Sequence, residues 1–225
     1  MGKNKESDFP DEYRNGFAMF LGCRIDLSAR PLIPRPETEF WVERAIGDLK
    51  NLKRSGARAL DIFSGSGCAG IAVAKHLPGI RVDFSDIDPG AVGQIKINIR
   101  ENNICPELAN AFEGGFFNKI PKGILYDAIL ANPPYIDPAR IGQVQKSVLD
   151  YEPRQALFSG NGGLEAIEIF LAQAGNFLRP EGFIYLEFDP SQKRRIAGII
   201  REKKYSSFQF FKDQFSRWRF VKIIK

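Results

Sequence analysis

Asn132-Pro133-Pro134-Tyr135 is the stretch of this 225-residue chain whose side chains specify a reaction most narrowly. Two successive prolines fix the backbone. They hold the Asn132 side-chain carbonyl and a nearby main-chain carbonyl in set directions. Two acceptors converging on one planar NH2 group orient it and draw on its protons. Its nitrogen lone pair is then available to attack an electrophilic methyl. Tyr135 is placed to stack on a planar amide or base and to exclude water. In isolation a static surface turn also reads Asn-Pro-Pro, and three further marks weigh against that.

Those marks are Asp61, a glycine turn and Asp86. Asp61-Ile-Phe-Ser-Gly65-Ser-Gly67-Cys-Ala-Gly70 lies between a predicted strand and a predicted helix. Glycines let the backbone approach a ligand and take positive φ. The end of a parallel strand is where α/β sheets bind cofactors. Asp86 ends the next predicted strand, about 20 residues on, and is placed to accept from the 2′ and 3′ hydroxyls of a ribose. The same spacing fits a dinucleotide site. The turn alone therefore reads as a nucleoside site of some kind, with tight-turn packing glycines as the plain alternative.

These residues need a sheet to position them. Apolar spacing predicts a helix over 37–52, started by Thr38 or by Pro36-Glu37. A buried strand follows at 59–63, then a tight turn at 64–67 and a helix at 68–77. Next come a strand at 81–85 ending at Asp86, and a helix from Pro89 to about Glu101. A strand at 126–130 stops at Asn132. A helix at 163–178, closed by Pro180 and Gly182, leads to a strand at 183–187 and a helix at 191–203. Strands at 208–211 and 220–224 lack a helical crossover and read as an antiparallel hairpin. Alternating strands and helices predict an α/β fold with a mostly parallel sheet and helices on both faces. The three prolines Pro31, Pro34 and Pro36 predict extended or turn backbone. Residues 1–19 read as a polar lead-in and 20–225 as a single domain.

Composition narrows the setting. The net charge is +5, but the segment from Ser191 to Lys225 holds 11 Lys/Arg against 2 Asp/Glu, a local net of +9. That basic segment is a candidate contact for RNA, the ribosome or an acidic protein, with a solvated surface as the plain alternative. Three widely spaced cysteines and one histidine, His76, do not make the usual zinc cluster or a hydrolase triad, so no metal is expected. No apolar run approaches the length of about 18 residues that a membrane span needs. The odd cysteine count and the polar N-terminus predict a reducing, cytoplasmic setting.

One family gathers these marks in order. Leu32-Ile-Pro-Arg-Pro-Glu-Thr-Glu39, Asp61-Ile-Phe-Ser-Gly-Ser-Gly-Cys68, Asp86-Ile-Asp-Pro89 and Asn132-Pro-Pro-Tyr-Ile136 come first. Tyr151-Glu-Pro-Arg-Gln-Ala-Leu157, Gly162-Gly-Leu164 and the stretch from Asp213 to Arg219 continue them. The set resembles the class I S-adenosylmethionine-dependent methyltransferases that modify amino-group nitrogens. It is most similar to the HemK-like release-factor glutamine N5-methyltransferase family, over about residues 20–221.

The resemblance implies a Rossmann-like fold with a seven-stranded sheet, and S-adenosylmethionine as methyl donor. It implies that Asp61, Gly65 and Gly67 cradle the methionine part of the donor and that Asp86 holds the ribose, with Phe63 and Ile87 in the same donor set. Pro36, Glu37 and Thr38 would lie beside the donor and the substrate mouth. Asn132 and the Pro133 carbonyl would receive a glutamine amide, with Tyr135 packed near it. Glu152 and Glu187 have supporting roles only. The implied substrate is a protein glutamine, in the Gly-Gly-Gln motif of a peptide chain release factor or in a ribosomal protein. Adenine N6 of RNA or DNA is the rival acceptor, and a donor-binding module without activity is a third reading. Phe63 stands where the family usually has glycine, and is expected to narrow the donor approach. Bacterial members carry a separate helical domain before this core, and only about 20 residues precede the matching region here.

Overall fold

Strand residues point alternately to the two faces of a sheet, and here both faces are buried. In the computed structural model, which describes residues 8–52 and 54–225, Ala59, Val82, Ala128 and Leu130 face one apolar layer. Leu60, Ile62, Ile129 and Ala131 face the other. Strands buried on both sides need helices on both sides, which is the parallel α/β solution.

The elements run in this order: α1 (Asp11–Asn15), β1 (Phe17–Phe20), β2 (Cys23–Asp26), α2 (Pro36–Asn51), β3 (Arg58–Ile62), α3 (Cys68–His76), β4 (Arg81–Asp86), α4 (Pro89–Glu101), β5 (Ala109–Glu113) and β6 (Tyr126–Ala131). Then follow α5 (Lys146–Tyr151), the one-turn α6 (Gly160–Gly163), α7 (Glu165–Ala174), β7 (Leu178–Glu187), α8 (Lys193–Glu202), β8 (Ser207–Lys212) and β9 (Trp218–Ile224). Seven strands form one sheet in the order β5-β4-β3-β6-β7-β9-β8. The strands from β5 to β7 pair in parallel, and β9 is antiparallel to both of its neighbours. From β3 the chain winds outward through β4 to β5, then returns to β6 on the other side of β3. That reversal opens a crevice at the carboxyl ends of β3 and β6, where such sheets bind ligands.

The helix over 37–52 forms as α2, with Pro36 at its first turn and Thr38, Trp41, Val42, Ala45 and Leu49 buried. α4 keeps its expected bounds, with Asp88 capping the Gly90 N–H at 2.8 Å. Several elements differ from expectation. The helix read at 163–178 is shorter: α7 ends at Ala174, and β7 begins at Leu178, ahead of Pro180 and Gly182. β7 reaches its full register with β6 only past an irregularity. The seventh strand, β5, carries the short, half-exposed sequence Ala-Asn-Ala-Phe-Glu at the sheet edge, without the β-branched run that marks a buried strand.

Phe17–Phe20 and Cys23–Asp26 pair as a hairpin, β1 with β2. Its turn is Leu21-Gly22, both at positive φ, without the usual Asn-Gly signal. The expected lead-in is folded from residue 8 onward, and residues 1–7 of it lie outside the described residues. Tyr13 of α1 is buried, and its hydroxyl donates to the Pro31 carbonyl at 2.6 Å. Among the described residues, no helix is long and apolar enough to cross a membrane.

Candidate active site

The ends of β3, β4, β5 and β6 meet around one cleft, with about 1260 Å³ of empty space counted out to its open mouth. At the end of β3, the Ser64 hydroxyl lies 2.7 Å from the Asp61 carbonyl and accepts from the Ser85 N–H at 3.0 Å. This ties the glycine turn to β4. Gly65 donates its N–H to Asp86 Oδ2 at 2.8 Å, and Asp88 donates to Oδ1 at 2.9 Å. Gly65 has φ +53° and open space where a Cβ would stand. Asp61 takes the Gly70 N–H on Oδ2 at 2.9 Å. Burial, with the Asp86 charge adding to it, lifts the Asp61 carboxyl to about 8. Burial raises the Asp86 carboxyl as well.

Phe63 takes a left-handed backbone at φ +59°, as does Phe116 at φ +52°. Each such non-glycine residue costs roughly 1 kcal/mol or more. Their rings meet edge to face at 5.5 Å, and both line the cleft, as does the largely exposed Ile87. Phe63 also packs on Phe170 at 5.9 Å, so its ring is held to one side by a neighbour on each flank.

At the end of β6, Asn132 and Pro134 face the cleft, while Pro133 is buried beneath them. Asn132 Nδ2 lies 3.4 Å from Thr38 Oγ1. Tyr135 donates its hydroxyl to Glu187 Oε1 at 3.1 Å. Glu187 is 1% exposed, and its Oε2 accepts from Thr38 Oγ1 and from Trp41 Nε1, both at 2.7 Å. Burial pushes the Glu187 carboxyl up, against the Trp41 and Thr38 hydrogen bonds and the nearby Arg219 charge.

The loop is braced from behind. Gly163, at φ +79°, presses so close that a Cβ there would stand 2.1 Å from the Tyr135 carbonyl oxygen. Gln192 Nε2 bridges the Tyr135 and Gly163 carbonyls at 2.8 and 3.1 Å. The Ile136 N–H donates to the Leu157 carbonyl, and the Ser159 N–H donates to the Ile136 carbonyl. Glu152 accepts from the Ile33 N–H at 3.2 Å and pairs with Arg35, which fastens the proline-rich segment along the cleft.

Three of the expected donor residues do not line the cleft. Pro36 is exposed and starts α2. Glu37 faces an outer hollow and stands 3.9 Å from Arg219. Gly67 is outside the cleft lining, and a Cβ there would meet Ile95 and Phe84. The neighbours that sequence reasoning did not single out are Trp41, Gln192 and Arg219. Arg219 is held by Asp213 at 3.1 Å. Only its place at the end of the matched tail pointed to it; no pattern in the sequence marks Gln192.

Comparison with known proteins adds the family. Residues 48–150 match the family model described as methyltransferase small domain. The release factor glutamine methyltransferase of Gloeobacter violaceus is 32% identical over 209 residues, covering 92% of this chain and 72% of that protein. That of Thermodesulfovibrio yellowstonii is 31% identical over 204 residues, covering 91% and 72%. The chain belongs to the release factor glutamine methyltransferase family. It is an S-adenosylmethionine-dependent methyltransferase. Among solved structures, the N-terminal domain of human METTL16 superposes on this methyltransferase with a TM-score of 0.64 at 18% identity, covering 95% of this chain and 78% of that one. The ribosomal protein L11 methylase of Lactobacillus delbrueckii subsp. bulgaricus gives 0.61 at 18% identity, covering 87% and 81%. At that identity the likeness is one of fold. The seven-stranded class I architecture expected for the enzyme is the one observed.

Proposed function

We propose that this methyltransferase modifies the side-chain amide nitrogen of a protein glutamine, that of the Gly-Gly-Gln motif in a peptide chain release factor. The observation that carries the reading is the position of Asn132, on a proline-stiffened loop at the rim of the donor cleft. The glutamine methyltransferase activity for which its relatives are named supports the same acceptor.

The residues present fit S-adenosylmethionine. The cleft sets the Asp61 and Asp86 carboxyl groups among apolar walls, the usual make-up of a small-molecule site. A buried carboxyl with a raised pKa suits an ammonium partner, and Asp61 provides one. Asp86 has both oxygens anchored by backbone N–H groups and keeps lone pairs for two hydroxyls. The space beside Gly65 is one a side chain would fill. When bound, the donor supplies an electrophilic methyl on a sulfonium.

The chain's part is orientation. Asp61 and Gly65 hold the amino-acid end of the donor, Asp86 the ribose, and Phe63, Ile87 and Phe116 the apolar surface between. Thr38 lies at the junction of donor and substrate. The Asn132 side-chain carbonyl and the Pro133 main-chain carbonyl accept the two protons of the substrate NH2, so the nitrogen lone pair faces the methyl. Holding both partners removes an entropic cost from the transfer. The nitrogen becomes acidic as it gains the methyl, so no strong base is required. Tyr135, tied to Glu187, closes the loop side against water.

The basic segment enters this reading as a second contact, with RNA or the ribosome. Much of its charge is already engaged: Arg219 with Asp213, Lys222 with Asp48, and Lys225 with the Leu178 carbonyl. Arg194, Arg195, Arg201, Lys204, Lys212 and Arg217 are exposed and would make that contact. The test of function is incubation of the protein with methyl-labelled donor and either a release factor or RNA. Label on the glutamine of Gly-Gly-Gln is expected. Label found only in adenine of the RNA would replace this reading with its rival.

A further inference from the structure

Glu187 is a buried carboxylate for which the transfer itself has no use. Its surroundings are all donors. Trp41 Nε1 and Thr38 Oγ1 both stand 2.7 Å from Oε2, and the Tyr135 hydroxyl stands 3.1 Å from Oε1. The indole N–H can only donate. Oε2 is therefore an acceptor, and a proton taken up by Glu187 belongs on Oε1. The Thr38 hydroxyl has one proton, and Oε2 takes it. Thr38 Oγ1 is left with lone pairs alone, turned to the next polar atom, the Asn132 amide at 3.4 Å.

Two acceptors facing one another with no proton between them repel. The Asn132 amide must then turn its NH2 toward Thr38 and its carbonyl Oδ1 away. The assignment of oxygen and nitrogen in an amide follows from such a network. The opposite orientation would present an NH2 to an incoming NH2, donor against donor, and the substrate would not be held. We propose that Glu187 is a positioning residue: acting through Thr38, it fixes the Asn132 amide with its carbonyl toward the substrate. α2 thus contributes polarity to the site as well as a wall. The inference rests on the reading that Asn132 receives a substrate NH2 group.

Two readouts test it, one with no substrate. In the ¹⁵N spectrum of the full chain, the side-chain NH2 of Asn132 is identified by its loss in Asn132→Asp. Thr38→Val should speed its hydrogen exchange about two- to tenfold, and Thr38→Ser should restore slow exchange. In turnover, Glu187→Leu and Thr38→Val should each lower kcat about tenfold or more, with the Kd for S-adenosylhomocysteine unchanged in Glu187→Leu. Glu187→Gln should recover most of that loss, because its carbonyl can take the Oε2 position while its NH2 meets Tyr135.

The double variant Glu187→Leu/Thr38→Val should be no slower than the worse single one, since both break one relay. Independent, multiplying losses would overturn the proposal, as would Glu187→Gln as slow as Glu187→Leu. Unchanged Asn132 exchange in Thr38→Val would overturn it also. Should Glu187→Leu fail to fold, the two Thr38 variants and the exchange readout decide alone. A wild-type protein that methylates no glutamine would sink the proposed function while leaving the exchange result standing.

Discussion

Asp61 keeps one oxygen on the Gly70 N–H, and burial, reinforced by Asp86, raises its pKa to about 8. Free protein therefore carries a proton on Asp61 at neutral pH, whereas an ammonium-bearing donor needs the carboxylate. Donor binding should release about one proton, and affinity should rise up to about tenfold per unit between roughly pH 6 and pH 7.5. Calorimetric titration in two buffers of different ionisation heat measures this directly. Flat affinity across that range would remove Asp61 as the ammonium partner. Linkage gives the sign for stability too. The folded pKa lies above the unfolded one, so the free protein loses stability as pH rises from about 4 to about 8.

At the scale of elements, the catalytic loop owes its shape to segments far from it in sequence. Gly163 touches the Tyr135 carbonyl, and Gln192 ties the two together. In Gly163→Ala the new methyl would overlap a backbone oxygen, at a φ that alanine resists. The loop should move, with kcat reduced about a hundredfold, as expected when a reacting group is misplaced by about 1 Å, and donor affinity held. Stopped turnover with intact S-adenosylhomocysteine binding would support this; wild-type kcat would refute it.

The same region shows where sequence reading reached its limit. Asn132, Asp61 and Asp86 were legible because strand ends and turn residues sit together in the chain. The brace was legible only as motif, Gly162-Gly-Leu164, without its purpose, because contacts across the sheet edge leave no periodic signal. Gly67 and Glu37 carried the right motif but do not line the cleft, which spacing alone cannot reveal. β5 and the Leu21-Gly22 hairpin were lost for a related reason. β5 lacks the β-branched run of a buried strand, and that turn reaches positive φ without its usual residues.

For the whole molecule, the donor cleft draws on the ends of β3, β4, β5 and β6 and on α2, at the point where the sheet reverses its winding. A ligand that bridges those ends stabilises the folded state as a unit. At about 100 times its Kd, S-adenosylhomocysteine should add about 2.7 kcal/mol, raising Tm by about 5–10 °C for a chain of this size. Differential scanning fluorimetry checks it, and an unmoved Tm would contradict the assigned cleft.

In the proposed reaction this cleft delivers a methyl to a protein amide. The most direct measurement is mass spectrometric mapping of a release factor after incubation with the wild-type protein and S-adenosylmethionine, with Asn132→Ala alongside. One added methyl on the glutamine of Gly-Gly-Gln, absent with Asn132→Ala although that variant still binds S-adenosylhomocysteine, is the predicted result. A release factor left unmodified while RNA adenine gains the methyl, or full activity in Asn132→Ala, would contradict the account.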